Sequence, residues 1–108
     1  MGTGQGPDRG GVSGYSVEIS PAAEREITDA VQWYRNKSPA AADLFQSIVF
    51  DSIETISHSP LSWAKISDKG LRKFVLPRYP YSLFFAVQGS TVNIMAVAHH
   101  RRAPPKAH

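Results

Sequence analysis

The most informative part of the chain is the stretch RKFVLPRYPYSLFFAVQGSTVNIMAVAHHRRAP, residues 72–104. Residues 81–87 and 92–98 within it are apolar at nearly every position, which is typical of central strands covered on both faces. Gly89-Ser90 between them is a two-residue hairpin signal that begins with glycine. We therefore expect an antiparallel hairpin at the centre of a sheet, with strand character beginning again at Leu71 ahead of it.

The part of the chain before this stretch predicts one strand and two helices. Residues 15–20 alternate between apolar and polar, which is the pattern of an edge strand with one wet face. Ser20-Pro21 and Ser38-Pro39 each pair an N-cap residue with a proline suited to the first helical position. The first helix should end near Asn36, and the second should be closed by Pro60.

The combined pattern predicts an α+β fold in the order β-α-α-β-β-β. A two-helix hairpin packs on a mainly antiparallel four-stranded sheet, because each layer leaves an apolar face that the other can cover. Residues 15–104 form the single domain in this interpretation. Residues 1–14, with six glycines, are expected to be a flexible leader, and residues 105–108 a basic tail.

Charge and composition exclude several classes of protein. The net charge of +3 is unevenly spread: residues 1–64 hold four Lys and Arg against eight Asp and Glu, and residues 65–108 hold eight against one. A basic C-terminal part is suited to binding an anionic partner, and the alternative is that it only keeps the protein soluble. The absence of cysteine excludes disulfides and thiolate chemistry, and no apolar run reaches membrane-spanning length. We expect a cytoplasmic protein that binds no membrane.

Four features of the chain resemble the RelE/ParE superfamily of bacterial toxins over residues 15–104. They are the element order, Pro60 after the second helix, the phrase Arg78-Tyr79-Pro80-Tyr81, and the closing sequence AVAHHRRAP at residues 96–104. The most specific is the last strand running directly into His99-His100-Arg101-Arg102-Ala103-Pro104. The resemblance implies the toxin of a type II toxin-antitoxin system, neutralised by a cognate antitoxin.

Two branches of this superfamily differ in their target. RelE-like toxins cleave mRNA in the ribosomal A site and commonly end in an aromatic residue, whereas ParE-like toxins poison DNA gyrase. Residues 105–108 read PKAH, without a tyrosine, so the sequence is closer to the ParE-like branch. We expect a toxin that binds gyrase and is not an enzyme. The alternative is a metal-independent endoribonuclease that acts on mRNA at the ribosome.

The resemblance and the residue types together nominate the functional side chains. As adjacent strand residues point to opposite faces, at most one of His99 and His100 can face a given site. Trp63 suits packing as well as binding. The candidates for catalysis are Arg72, His99 and Arg101. Those for target binding are Arg72, Arg78, His99, Arg101 and Arg102. Those for partner binding are Trp33, Tyr34 and Trp63.

No cofactor or metal is expected. The four histidines, His58, His99, His100 and His108, lack the spacing to carboxylates that a metal site requires, and Asp68 is the only acid after Glu54. The sequence also lacks a glycine-rich phosphate loop, a nucleophile elbow and a helix-turn-helix signal.

Overall fold

The structure, a computed structural model, describes residues 15–101. The predicted leader (1–14), the predicted tail (105–108) and Arg102 lie outside this range. Along the chain the elements are β1 (Ser16–Ile19), α1 (Pro21–Lys37), α2 (Pro39–His58), a short 3-10 helix (Pro60–Ser62), β2 (Arg72–Val75), β3 (Tyr81–Gln88) and β4 (Thr91–His99). This order confirms the predicted α+β fold class.

Both helices begin at the predicted Ser-Pro pairs. The Ser20 hydroxyl accepts a hydrogen bond from the Ala23 amide at 3.0 Å, and the Ser38 hydroxyl accepts one from the Ala41 amide at 3.3 Å. The Ser38 amide also donates to the Tyr34 carbonyl, so one residue both ends α1 and starts α2. The two helices are consequently joined as a tight hairpin.

The four strands form one sheet in the order β1-β4-β3-β2. Strands β2, β3 and β4 are antiparallel to their neighbours, and β1 lies at the edge, parallel to β4. Gln88 pairs with Thr91 across the turn, and Gly89 has φ 60, which the first position of a type II′ turn requires. The predicted edge strand and central hairpin are therefore confirmed.

One face of the sheet carries the core. Register places Leu83 opposite Val97 and Phe85 opposite Ile94, and all four side chains are at most 1% exposed. They pack against the apolar stripes of the two helices, which are formed by Ala23, Ile27, Ala30, Phe45, Val49, Ile53 and Ile56. No helix within residues 15–101 has the length and apolar character needed to cross a bilayer.

The sheet face turned away from the helices is called the outer face here. Strand alternation assigns Lys73 and Val75 of β2 to it, together with Ser82 and Phe84 of β3, which lie opposite them. A β-bulge interrupts this register: Phe84 pairs with Ala96 and Phe85 with Ile94, so Met95 is one extra residue in β4. Because of the bulge, Ile94 and Val97 both face the helices.

Candidate functional site

Arg72 is tied to its own chain. It lies on the helix-facing side of β2, half-buried, and its Nη1 donates to the Trp63 carbonyl at 2.5 Å. Its guanidinium thereby fastens the loop after the 3-10 helix to the sheet. This contact is the structural role of Arg72, and it leaves fewer donors for a phosphate or a carboxylate.

Arg78 is exposed in the loop between β2 and β3 and has φ 70, a conformation that costs a non-glycine residue about 1 kcal/mol. Its neighbours hold the loop in place. The Tyr79 amide donates to the Pro77 carbonyl at 2.8 Å, and the Tyr79 hydroxyl donates to the Ala41 carbonyl of α2 at 3.0 Å. The surrounding fold thus presents the Arg78 side chain to solvent on a rigid turn.

The two adjacent histidines contact different parts of the structure. The His99 ring packs edge-on against Tyr81, with centroids 5.0 Å apart, and its Nδ1 accepts from the Arg101 amide at 3.0 Å. His100 Nε2 is 3.0 Å from the Ser82 hydroxyl, which lies on the outer face. The two rings therefore belong to opposite sides of the sheet and cannot act as acid and base on one substrate atom.

A groove of about 650 Å³ lies between α1 and the end of β4. We call it the α1–β4 groove, and four of the nominated residues line it, namely Trp33, Tyr34, His99 and Arg101. Arg72, Arg78 and Trp63 lie elsewhere. The remaining lining residues are Glu26, Asp29, Ala30, Pro80 and Tyr81.

The acidic wall of this groove, Glu26 and Asp29, was not nominated from the sequence. Glu26 Oε1 accepts a hydrogen bond from the Val97 amide at 2.7 Å, although the two residues are 71 positions apart. A local signal did exist, because Glu26, Asp29 and Trp33 follow one another at spacings of three and four residues, which place them on one helical face. Nothing in that spacing says that this face meets β4.

Tyr34 is the centre of an aromatic cluster beside the groove. Its ring centroid lies 5.0 Å from that of Tyr79, 5.2 Å from that of Phe45 and 6.3 Å from that of Tyr81. Burial raises the pKa of the Tyr34 hydroxyl, and electrostatic repulsion from the neighbouring Tyr81 and Tyr79 raises that pKa further. The cluster stabilises the neutral phenol.

We predict that Tyr34 makes the protein sensitive to alkaline pH. A phenol whose pKa is raised on folding contributes stability that is complete below its ordinary value of 10.0 and is lost as the pH rises through the folded pKa. Urea unfolding of the wild type and of Tyr34→Phe from about pH 8 to about pH 11 measures the free energy of unfolding of each protein as a function of pH. The wild type should lose more free energy of unfolding than the variant, and parallel profiles would contradict the prediction.

Trp63 packs inside the chain. Its ring centroid lies 4.7 Å from that of Phe74, and its carbonyl accepts from Arg72. Its indole Nε1 is buried and has no hydrogen-bond partner among residues 15–101. These contacts support the packing role of Trp63, whereas its role in partner binding stays a prediction.

No group of three or more metal-binding side chains is assembled in the part of the chain that the structure describes. The arrangement offers two features for binding: the Arg78 cation on an exposed turn, and the α1–β4 groove.

Comparison with known proteins places this fold. A chain of the chromosomal ParDE toxin-antitoxin system from P. aeruginosa matches with a TM-score of 0.71 and 18% identity, over 79% of this chain and 95% of that one. A chain of the toxin-antitoxin complex RelBE2 from Mycobacterium tuberculosis matches with a TM-score of 0.54 and 21% identity, over 80% and 98%. These two likenesses show that the chain shares the α+β fold of those proteins.

Sequence comparison goes one step further. Toxin RelE3 of Caulobacter vibrioides is 28% identical over 85 residues, which span 78% of this chain and 92% of that protein. The sequence profile of the family described as the ParE toxin of the type II toxin-antitoxin system parDE matches residues 17–104. The chain belongs to this ParE toxin family, within the RelE/ParE superfamily of type II toxins.

Proposed function

We propose that this toxin inhibits growth by binding and poisoning DNA gyrase in the cytoplasm, and that a cognate antitoxin neutralises it. The observation that carries the proposal is the separation of its cations. Arg72 is bound to a backbone carbonyl, Arg78 stands on an exposed turn, and Arg101 lines the α1–β4 groove. These three arginines thus stand in three different surroundings.

This separation weighs against RNA cleavage. Cleavage without a metal needs a general base, a general acid and a cation around a single phosphate. His99 and His100 lie on opposite sides of the sheet. Within strands β2, β3 and β4, Lys73 is the one Lys or Arg residue assigned to the outer face. An action by binding, without catalysis, fits this geometry better than an endoribonuclease does.

Two exposed apolar side chains near β2 each have an exposed lysine close by in the chain. Leu61 is 58% exposed and precedes Lys65, and Val75 is 56% exposed and follows Lys73 on the outer face. Exposed apolar side chains beside cations are typical of protein-binding surfaces with an electrostatic rim. We infer that gyrase contacts these side chains together with Arg78.

The antitoxin has a separate candidate surface on the helical hairpin. A groove of about 720 Å³ runs between the helices, and its lining combines the apolar residues Ile27, Val31 and Phe50 with charged residues such as Glu24 and Arg25. Phe50 is 46% exposed although it is a large apolar residue. An amphipathic segment of a partner could cover these side chains. The ParDE and RelBE2 systems whose chains share this fold are themselves toxin-antitoxin pairs.

A supercoiling assay with purified gyrase tests the proposed target. We expect added toxin to stop the introduction of supercoils, and we expect the product of an adjacent small gene to restore them. Full gyrase activity at a large excess of toxin would contradict the proposal. If primer extension on a translated mRNA then shows new 5′ ends, the toxin is instead a ribosome-dependent endoribonuclease.

Arg78→Gly is predicted to weaken gyrase inhibition at least about tenfold, which corresponds to about 1.4 kcal/mol of binding free energy. Glycine suits φ 70, so the free energy of unfolding should change by less than about 1 kcal/mol. The loss would therefore report the missing cation. Inhibition titrations and urea unfolding measure the two quantities.

Arg78→Lys is the matched control, because lysine keeps both the charge and the strained backbone. We expect its inhibition to stay within about threefold of the wild type, which is about 0.6 kcal/mol. If Arg78→Gly inhibits as strongly as the wild type, Arg78 does not contact the target.

A further inference from the structure

We propose that the α1–β4 groove binds an arginine side chain presented by the antitoxin. The identity of the partner rests on the proposed function, whereas the chemistry of the groove rests on the residues that line it. Three features support an arginine: the charges of the lining groups, the aromatic ring at its rim, and an oxygen of Glu26 that remains for a ligand.

The charged groups favour a cation. Glu26 and Asp29 bring two carboxylates, Arg101 brings one cation, and His99 is the remaining titratable group apart from the two tyrosines Tyr34 and Tyr81. Neither Asp29 nor Arg101 forms an ion pair within residues 15–101. Lys37 lies over the Trp33 ring at the rim. The two carboxylates that line the groove, and not its net charge, therefore favour a basic protein segment over a nucleic acid.

Trp33 supplies the surface on which a guanidinium can stack. Its side chain is 55% exposed, and its ring is held edge-on against Tyr34 with centroids 5.0 Å apart. Lys37 Nζ already lies 5.1 Å from the centroid of this ring, which shows that the ring attracts a cation. A planar guanidinium can lie over an indole while its edge donates to a carboxylate, and an ammonium cannot do both equally well.

Glu26 contributes a fixed acceptor. Its Oε1 is engaged by the Val97 amide at 2.7 Å, so the carboxylate is held in position. Within residues 15–101 its second oxygen makes no side-chain ion pair, so a ligand can use it. Asp29 lies one helical turn further on, on the same side of α1. Two carboxylates so placed can accept the parallel N–H donors of one guanidinium.

Nuclear magnetic resonance on the full chain with small probes tests the groove directly. The probes are acetyl-arginine amide, acetyl-citrulline amide, which has nearly the same shape without the charge, and acetyl-lysine amide. We expect acetyl-arginine amide to shift the Trp33 indole N–H signal with a dissociation constant in the low millimolar range, on the order of 1–10 mM. The citrulline probe should bind at least about tenfold more weakly, equivalent to about 1.4 kcal/mol, and the lysine probe should fall between the two.

Two variants and two controls sharpen this test. Asp29→Asn and Trp33→Leu should each weaken binding of acetyl-arginine amide at least about fivefold, or about 1 kcal/mol; for Trp33→Leu the Tyr81 and His99 backbone signals serve as readout. Glu24→Gln changes an exposed acid of the same helix that does not line this groove, and it should have no effect. The buried Trp63 indole signal should stay unchanged.

Equal responses to the arginine and citrulline probes would overturn the proposal, as would a Trp33 shift produced by a short RNA oligonucleotide.

Antitoxin binding separates this inference from the proposed function. The wild type should bind the adjacent gene product. Trp33→Leu changes a residue that lines the α1–β4 groove and not the groove between the helices, and it should lower that affinity at least about fivefold, or about 1 kcal/mol. Unchanged affinity of this variant would overturn the arginine groove alone. Failure of the wild type to bind would instead overturn the neutralisation by an antitoxin, and with it the assignment of the arginine to that partner.

Discussion

Phe45→Ala is expected to lower the free energy of unfolding by about 3–5 kcal/mol, the range for truncating a fully buried aromatic side chain. Phe45 is 0% exposed, and its ring centroid lies 5.1 Å from those of Tyr79 and Tyr81 and 5.2 Å from that of Tyr34. One ring thus joins both helices, the sheet and the loop that carries Arg78. A cavity at this point removes contacts from all four.

Phe50→Ala is the matched control, because Phe50 is the same residue type on the same helix but is 46% exposed. This variant should lose less than about 1 kcal/mol of unfolding free energy, since nearly half of Phe50 is already in water. Urea unfolding followed by circular dichroism gives both values. Similar losses for the two variants would show that Phe45 does not anchor the core.

Glu26→Ala is expected to lower the free energy of unfolding by about 1.5–3 kcal/mol, the range for hydrogen bonds that involve a charged group. The Val97 amide donates to Glu26 at 2.7 Å, and Val97 as a residue is only 1% exposed. Strand β1 cannot replace the carboxylate, because its register on β4 ends at Ile94. Truncation therefore leaves a partly buried donor without its partner.

Glu26→Gln tests whether the acceptor or the charge matters. Glutamine keeps a side-chain oxygen at the same reach, so we expect the loss to fall below about 1 kcal/mol. Hydrogen exchange at the Val97 amide should be faster in Glu26→Ala and nearly unchanged in Glu26→Gln. If the alanine variant is as stable as the glutamine variant, the contact between α1 and β4 is not energetically important.

Most elements of the fold could be predicted from local signals. Ser20-Pro21 and Ser38-Pro39 begin helices because a hydroxyl acceptor and a preset φ act within three residues of the helix start. Gly89-Ser90 makes the hairpin because glycine adopts the positive φ that the turn demands. These signals act between neighbours, so no knowledge of the remaining chain was needed.

The candidate site was predictable only in part. The alternation of strand side chains correctly separated His99 from His100, and it placed Arg72 and Lys73 on different faces. It did not reveal that the Arg72 guanidinium is bound to the Trp63 carbonyl. Basic residues that are close in the sequence were nominated together, although sequence proximity does not determine where long side chains end.

The helices, the strands, their order and the apolar face of each can be read from the amino-acid sequence, since periodicity, capping and turn chemistry are local properties of the chain. Three features appear only in the folded structure: β1 lies parallel to β4, Met95 forms a bulge, and Glu26 and Asp29 meet His99 and Arg101 in one groove. The physical reason is that register and packing are set by contacts between residues far apart in the chain, which the whole core must satisfy together.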